Sequence, residues 1–395
     1  MRSSSNQKSL LIILSVALIV VSSTFLISIF ARGYRLDTSS GLKLKVTGLL
    51  SVSSKPKLAS VYVNNLLTTV TDDTVNLAPG SYHLKITKDN NNSWEKNIQI
   101  KPELVNQVEA HLFLSSTELV PLTEHQIINP AASPDGQKIV YAVASSSATG
   151  KKEGLYLMEL TELPLLMSLN SERQLFPDTT FLAWSNFSFE FSPDSKQVLA
   201  TSNQKTLSYL FSLDQNQNIN SLSDISSRLP QIKKEWQKDR EKNIKNKLAK
   251  VPLEFQPFIA TSSAILSLNT NENKLLYQAA KNIELPNLFP SPPPAQSTQI
   301  QHRTLTKDSY YVYDLKEDTN FLIGNSSLSQ ISWIPYSSNL FFIKDNQIRI
   351  CDYDATNYQT IYSDSISPKI LLPTPDGYRL IISLDSLQSI TIKDR

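Results

Sequence analysis

The stretch AASPDGQKIVYAVAS (131–145), followed by GLYLMEL (154–160), decides how the larger part of this chain is read. Ser-Pro-Asp-Gly has the composition of a tight turn: proline pre-sets φ, aspartate caps nearby backbone, and glycine takes a positive φ. The K-I-V-Y that follows alternates into a strand. The phrase of turn, strand, short gap and strand returns four more times. It is clear in FEFSPDSKQVLATS (189–202) with LSYLFSLD (207–214), and in LLPTPDGYRLIISLD (371–385) with SITIKD (389–394). In ILSLNTNENKLLYQAA (265–280) and ISWIPYSSNLFFIKDNQIRICDYD (331–354) the Pro-Asp pair is lost, and the partner of the former, YYVYDLK (310–316), comes after a long insertion. One such four-stranded unit cannot bury its face, so the copies are expected to stack around an axis.

Pro134, Asp135 and Gly136, then Pro193 and Asp194, then Pro375, Asp376 and Gly377 stand at matching positions. On these residues the region 118–395 resembles a TolB-like or WD40-like β-propeller repeat, which implies five to seven blades. The interval of about 50–70 residues exceeds the ~40–50 of a bare blade, so insertions are expected. Further sandwich domains are the rival reading, but sandwiches have no reason to repeat Ser-Pro-Asp at one place in each unit. The turn aspartates are expected to be structural.

A second β region precedes this one, at 44–115. LKLKVTGLLSVSS (42–54), SVYVNN (60–65), TVNLAPGSYHLKITK (74–88) and WEKNIQI (94–100) read as short strands with a Pro-Gly turn, the pattern of an antiparallel sandwich. Ser54 and Pro56, then Ala59, Val61, Val63 and Asn64, then Leu77, Pro79, Gly80 and Tyr82, then Trp94 and Ile98 follow in a fixed order. In that order the region resembles the PEGA domain. It departs at Leu58-Ala59, where the family carries Gly-Ala, and at Asn64-Asn65, where it carries Asn-Gly. The resemblance implies a small extracytoplasmic spacer or binding module. Tyr82 and Trp94 admit a carbohydrate-stacking reading; packing of strand aromatics is the simpler one.

Before both regions lies a segment with no charged residue from Ser9 to Ala31, closed by Lys8 and Arg32. As a helix of about 34 Å it is long enough for a hydrocarbon core of about 30 Å. A cleaved signal peptide would have a shorter apolar run and a small-residue cleavage site. The expectation is an uncleaved signal anchor at 9–31, a short cytoplasmic stretch at 1–8 and a linker at 32–43. Basic residues flank the span on both sides, so charge bias does not orient it; the large body after it argues for export of that body.

Composition excludes several classes. The 395 residues carry 38 Lys plus Arg against 36 Asp plus Glu, a net charge of +2, so no nucleic-acid partner is expected. One cysteine, Cys351, excludes a disulfide framework within the chain and any multi-cysteine metal site. The four histidines, His83, His111, His125 and His302, have no metal-ligand spacing, and no nucleophile-elbow, Walker or dinucleotide motif occurs. Asp314, Glu317, Asp318 and Asn320 do not fit an EF-hand loop. No catalytic residue, cofactor or metal is expected.

Two insertions interrupt the repeats. PQIKKEWQKDREKNIKNKLAKV (230–251) is helical, with Ile232, Trp236, Ile244, Leu248 and Val251 on one broad arc and a basic outer face. Lys233, Lys234, Lys242 and Lys245 are candidate contacts for an anionic partner; a solvated face with Glu241–Lys245 support is the plainer reading. ELPNLFPSPPPAQSTQ (284–299) is proline-rich and reads as a surface loop.

The layout is therefore all-β: one transmembrane helix, a small antiparallel sandwich at 44–115, and a propeller-like body at 118–395 with a helical insertion. It resembles PEGA-domain envelope proteins of bacteria. The function expected is non-catalytic, a membrane-anchored scaffold or binding module of the cell envelope for protein or polysaccharide. The alternative is a propeller hydrolase acting on envelope glycans or peptides, which needs carboxylates converging at a central channel.

Overall fold

The computed structural model describes residues 4–31, 34–37, 43–144, 152–160, 170–213, 218–260, 263–289, 297–364 and 367–394. It is mostly β and separates into two compact units.

The first unit begins with α1 (Ser4–Ala31), 28 residues long. Its described side chains are almost all exposed from Ile12 onward, and the helix is long and apolar enough to cross a membrane. Within the stretch read as a linker, Tyr34–Asp37 pairs antiparallel with Lys43–Val46. Two sheets follow. One orders Asp73–Leu77, Gly48–Lys55 and Val105–His111; the other orders Leu66–Val70, Ser60–Val63, Gly80–Thr87 and Trp94–Ile100. Burial alternates along Gly48–Lys55 and Trp94–Ile100, so each sheet has one inward face. Leu50 and Val52 of the first sheet meet Val61, Leu84, Ile86, Trp94 and Ile98 of the second in one core. The expected all-antiparallel pattern fails at one place: Gly48–Lys55 runs parallel to Val105–His111. That register sets Lys55 opposite His111 and places Glu109 within 3.2 Å of Lys55 Nζ and 3.4 Å of His111 Nε2.

The second unit holds five larger sheets, antiparallel throughout. The first contains Ile128–Ala132, Lys138–Val143, Gly154–Leu160 and Asn170–Pro177. The second contains Phe187–Phe191, Gln197–Ser202 and Ser208–Ser212. The third contains Ser263–Leu268, Lys274–Ala279, Tyr310–Asp314 and Thr319–Gly324. The fourth contains Ser329–Trp333, Asn339–Lys344, Gln347–Asp352 and Gln359–Tyr362. The fifth contains Leu371–Pro373, Arg379–Ser383 and Leu387–Thr391, and takes its outer strand, Leu119–Pro121, from before the first sheet.

The alternation read into K-I-V-Y does not describe these strands. Lys138–Val143, Tyr310–Asp314 and Asn339–Lys344 are buried on successive residues, so the sheets are apolar on both faces. Each face has its own partner. Val140 and Ala142 pack on Val198 and Phe211 of the second sheet, while Ile139 and Tyr141 pack with Ile381 and Leu387 of the fifth. Leu380 and Ile382 meet Phe341 and Ile343 of the fourth sheet, and Leu340 and Phe342 meet Leu276 and Val312 of the third. The remaining faces of the second and third sheets are covered by the helical insertion. Ile232 and Trp236 of α2 (Leu229–Leu248) pack on Leu199, and Val251, Phe255 and Ile259 pack on Leu275 and Tyr277. Of the expected apolar arc, Ile232, Trp236 and Val251 are buried and Leu248 is partly buried. Ile244 is 48% exposed, outside that buried arc.

The hydrogen bond from His111 and its charge, with Lys55 behind it, draw the Glu109 carboxyl down to about 2 despite its half-burial. A depressed carboxyl stabilises the fold fully above its unfolded value near 4.5 and loses that contribution as pH falls toward 2. Because Glu109 is half exposed, solvent screening holds the term to about 1 kcal/mol or less. Urea unfolding followed between pH 5 and pH 2 is expected to show this loss in the wild type. Glu109→Gln should be less stable than wild type at pH 5 and close the gap as the pH approaches 2.

Candidate functional site

The Ser-Pro-Asp turns fold through local bonds. In the first, the Ser133 hydroxyl donates to Asp135 Oδ1 at 2.5 Å and accepts from the Lys138 amide at 2.9 Å. Gly136 closes the turn onto the Ser133 carbonyl at φ +70°. Thr374, Asp376 and Gly377 repeat this in the fifth sheet, and Ser192, Asp194 and Ser195 in the second. The Ser192 hydroxyl, with the Lys196 amide behind it, holds the Asp194 carboxyl below its ordinary range. Pro134, Pro193 and Pro375 occupy the position after the hydroxyl residue in each. The degraded turns keep the bonds with other donors and acceptors. Asn269 Oδ1 accepts the Asn273 and Lys274 amides, both at 3.0 Å, and Ser337 Oγ caps the Ile334 carbonyl at 2.8 Å.

Turns of neighbouring sheets touch. The Asp135 amide donates to Ser195 Oγ at 3.2 Å, and the Tyr336 amide donates to Thr270 Oγ1 at 2.9 Å. A Cβ on Gly377 would lie 2.6 Å from the Pro335 carbonyl oxygen. Turns of the first, third, fourth and fifth sheets together line one cavity of ≈ 390 Å³. Its wall is Ser133, Thr270 and Ser332 with Pro134, Pro335, Pro373 and Pro375, and Tyr336 beside them. Tyr336 stands at φ +54° with its side chain 57% exposed, a conformation that ordinary L-residues adopt at a cost. The lining holds one carboxylate, Asp135, which is already bonded to Ser133 and the Gln137 amide. Proline faces, hydroxyls and one tyrosine ring can hold a neutral, polar ligand or an extended chain. They supply no proton-transfer pair.

Sequence reasoning named Pro134, Asp135, Gly136 and Pro375 for their turns, and the fold brings these four to one cavity. It missed Thr270 and Tyr336, which lie in turns whose Pro-Asp has gone, and Ser332, which lies in the strand Ser329–Trp333 before one of them. The one available signal was Pro335 with a large residue after it. Other candidates are placed elsewhere. Trp94 is buried in the small core, and Tyr82 packs partly buried against that core with its hydroxyl donating to the Ala78 carbonyl at 2.9 Å. Pro56, Ala59, Val61, Asn64, Pro79 and Gly80 shape the strands and turns of that unit; Ala59 and Val61 are core, and Asn64 Oδ1 accepts the His83 amide at 2.9 Å. Asp314 pairs with Lys274 at 2.6 Å and Asp318 with Arg303 at 2.8 Å. Burial alone would raise Asp318, but the Tyr313 hydroxyl and Arg303 outweigh it and keep its carboxyl below the usual range. Among the described residues no group of three or more His, Cys, Asp or Glu side chains is arranged to hold a metal. His125 Nε2 lies 3.1 Å from Glu172 Oε1, off the hydrogen-bond line, while the Tyr141 hydroxyl donates to the same oxygen at 2.6 Å. Burial, then Glu172, pushes the Tyr141 hydroxyl well above its ordinary range. Residues 290–296 of the proline-rich insertion lie outside the described residues.

Residues 47–115 match the PEGA domain family. No curated protein matches the chain. Among solved structures, a chain of a mitotic checkpoint complex is 8% identical over 79% of this chain and 85% of its own, with a TM-score of 0.25. An oligogalacturonate lyase in complex with manganese is 14% identical over 67% of this chain and 60% of its own, with a TM-score of 0.21. Likenesses this low assign neither fold nor activity.

Two substitutions separate the turn's structural role from the cavity's. Thr374→Val removes the hydroxyl that serves Asp376 and the Arg379 amide, and urea unfolding should show a loss of about 1–3 kcal/mol. Tyr336→Gly relieves the left-handed tyrosine. The same measurement should give equal or higher stability, by up to about 1 kcal/mol.

Proposed function

We propose that this chain is a non-catalytic, membrane-anchored binding module of the cell envelope. In this reading its larger unit is a five-bladed β-propeller, and the ring of turns is the face it presents. The observation that carries the proposal is the fifth sheet, whose outer strand, Leu119–Pro121, comes from before the first sheet. Joining chain segments more than 260 residues apart in one ladder is how a circular array of sheets would be held shut. The succession of cores from first to second sheet, helical insertion, third, fourth, fifth and back to first agrees with it.

The ligand class rests on the cavity wall: a neutral polysaccharide or an extended segment of an envelope protein, held by hydroxyls, proline faces and Tyr336. The hydrolase alternative needs two converging carboxylates, and this wall offers one that its own turn already uses. Anchoring rests on α1, whose apolar length exceeds that of an ordinary signal-peptide core. The match to PEGA at 47–115, a family of periplasmic or extracellular domains, supports an outward-facing body.

Sidedness is tested by thiol labelling. Cys351 is fully buried, and burial pushes its thiol far above the ordinary range, so the folded wild type should not react with an impermeant maleimide. Phe181 is 96% exposed, and Phe181→Cys offers a reactive site. Labelling of that variant in intact cells is expected. Labelling after lysis alone would place the body in the cytoplasm and overturn the envelope reading. A photo-crosslinking residue at 336 should then capture envelope material that the same residue at 300, also exposed, does not; equal capture at both sites would remove the ring of turns as the binding face.

A further inference from the structure

We propose that the outer face of α2 is a docking stripe for a single-stranded, phosphate-bearing polyanion. Ile232 and Trp236 fix the helix on the second sheet, so its rotation is set. At 100° per residue, Lys234, Lys238 and Lys245 fall within about 40° of the direction opposite that buried pair, and Lys242 within about 80°. All four are exposed. Three or four residues separate successive members, about 4.5–6 Å along the axis, and the stripe runs about 16 Å.

Of the helix's acids, Glu235 and Asp239 lie about 100° and 140° from the direction the stripe faces, while Glu241 lies within about 20° of it. Glu235 accepts from Gln231 Nε2 and Glu241 from Gln237 Nε2, each at 3.0 Å. Glu241 stands within the stripe, which therefore sets four lysines against one carboxylate; the expected Glu241–Lys245 support is replaced by the Gln237 contact. Among the described residues, the ion pairs of the helix are those of Arg240 and Lys233 with Glu190, on the flank that faces the second sheet. Lys234, Lys238, Lys242 and Lys245 enter none. Lys233, singled out with the others from sequence, therefore belongs to the anchoring side.

One row of cations suits one anionic strand; the second strand of a duplex would meet none. A bilayer is disfavoured because an interfacial helix needs a free apolar face. Here that face is spent on Leu199, leaving Ile244 as the exposed apolar residue of the helix. Phosphate is favoured over carboxylate for its higher charge density on a flexible chain. That the polymer is an envelope component rests on the placement proposed above; the phosphate chemistry does not.

The test uses the full chain in a neutral detergent and fluorescently labelled inorganic polyphosphate, with anisotropy read at 50 and 200 mM NaCl. Four released counterions on a single strand predict an affinity about fiftyfold lower at the higher salt. Replacing Lys234, Lys238, Lys242 and Lys245 by Gln should weaken binding at least tenfold at 50 mM salt and flatten most of the salt dependence. Replacing Lys205, Lys307 and Lys316 by Gln should leave both unchanged, and circular dichroism should show either variant folded. Equal binding by the stripe variant, or equal loss in the control variant, overturns the proposal. So does tighter binding to duplex DNA, or to phosphatidylglycerol vesicles, than to polyphosphate. These outcomes are independent of the labelling result, which concerns sidedness alone.

Discussion

The larger unit depends on one constraint: its sheets are apolar on both faces. A sheet such as Lys138–Val143 with Gly154–Leu160 buries nearly every side chain of its central strands. Alone, it would expose one oily surface whichever way it turned. Each sheet therefore needs a cover on both faces, which a neighbouring sheet or the helical insertion supplies. The first and fifth sheets share a core of Ile139, Tyr141, Ile381 and Leu387, and Leu119–Pro121 pairs with Leu387–Thr391. Fully burying one such side chain contributes roughly 1.5–3 kcal/mol, so a missing neighbour would cost far more than the usual net stability of a domain.

The helical insertion follows from the same need. The second and third sheets meet through α2 and the residues after it, with Trp236 on Leu199 and Phe255 stacked at 4.0 Å on Tyr313. A helix used as a wedge must commit its apolar stripe inward, which leaves its opposite side polar. The lysine row is in this sense a consequence of the wedge: the side remote from Trp236 has no packing to do and is free to carry charge. The smaller unit obeys the opposite rule. Its strands alternate, each of its two sheets has one inward face, and two layers suffice.

The cavity at the turns joins these themes. Each turn is closed by its own hydroxyl, carboxylate or amide, so its shape is nearly independent of its surroundings. The sheets bring the turns close enough for Asp135 to reach Ser195 and Tyr336 to reach Thr270. What faces the opening is then what the turn has left over: proline rings, spare hydroxyl surface and a tyrosine. The aspartates are consumed by the turns that position them, which is why a motif rich in carboxylates yields a cavity poor in free ones.

Short-range chemistry was legible in the amino-acid sequence. Ser-Pro-Asp-Gly closes the same turn wherever it stands, because its bonds span five residues or fewer. The uncharged run in α1, the PEGA-like order of strands and the basic helix were readable for the same reason: each is a property of neighbours along the chain. Tertiary structure decided what long-range packing decides. It set Leu119–Pro121 beside Leu387–Thr391, paired Glu109 with His111 across a parallel ladder, and chose glutamines over lysines as partners for the acids of α2. It also made Tyr336 a cavity residue, since no local pattern in I-P-Y-S-S-N tells which turns will converge. Pattern along a chain fixes how a segment bends and which residues are apolar. Which surfaces meet depends on burying every face of every sheet at once, and that condition exists only in three dimensions.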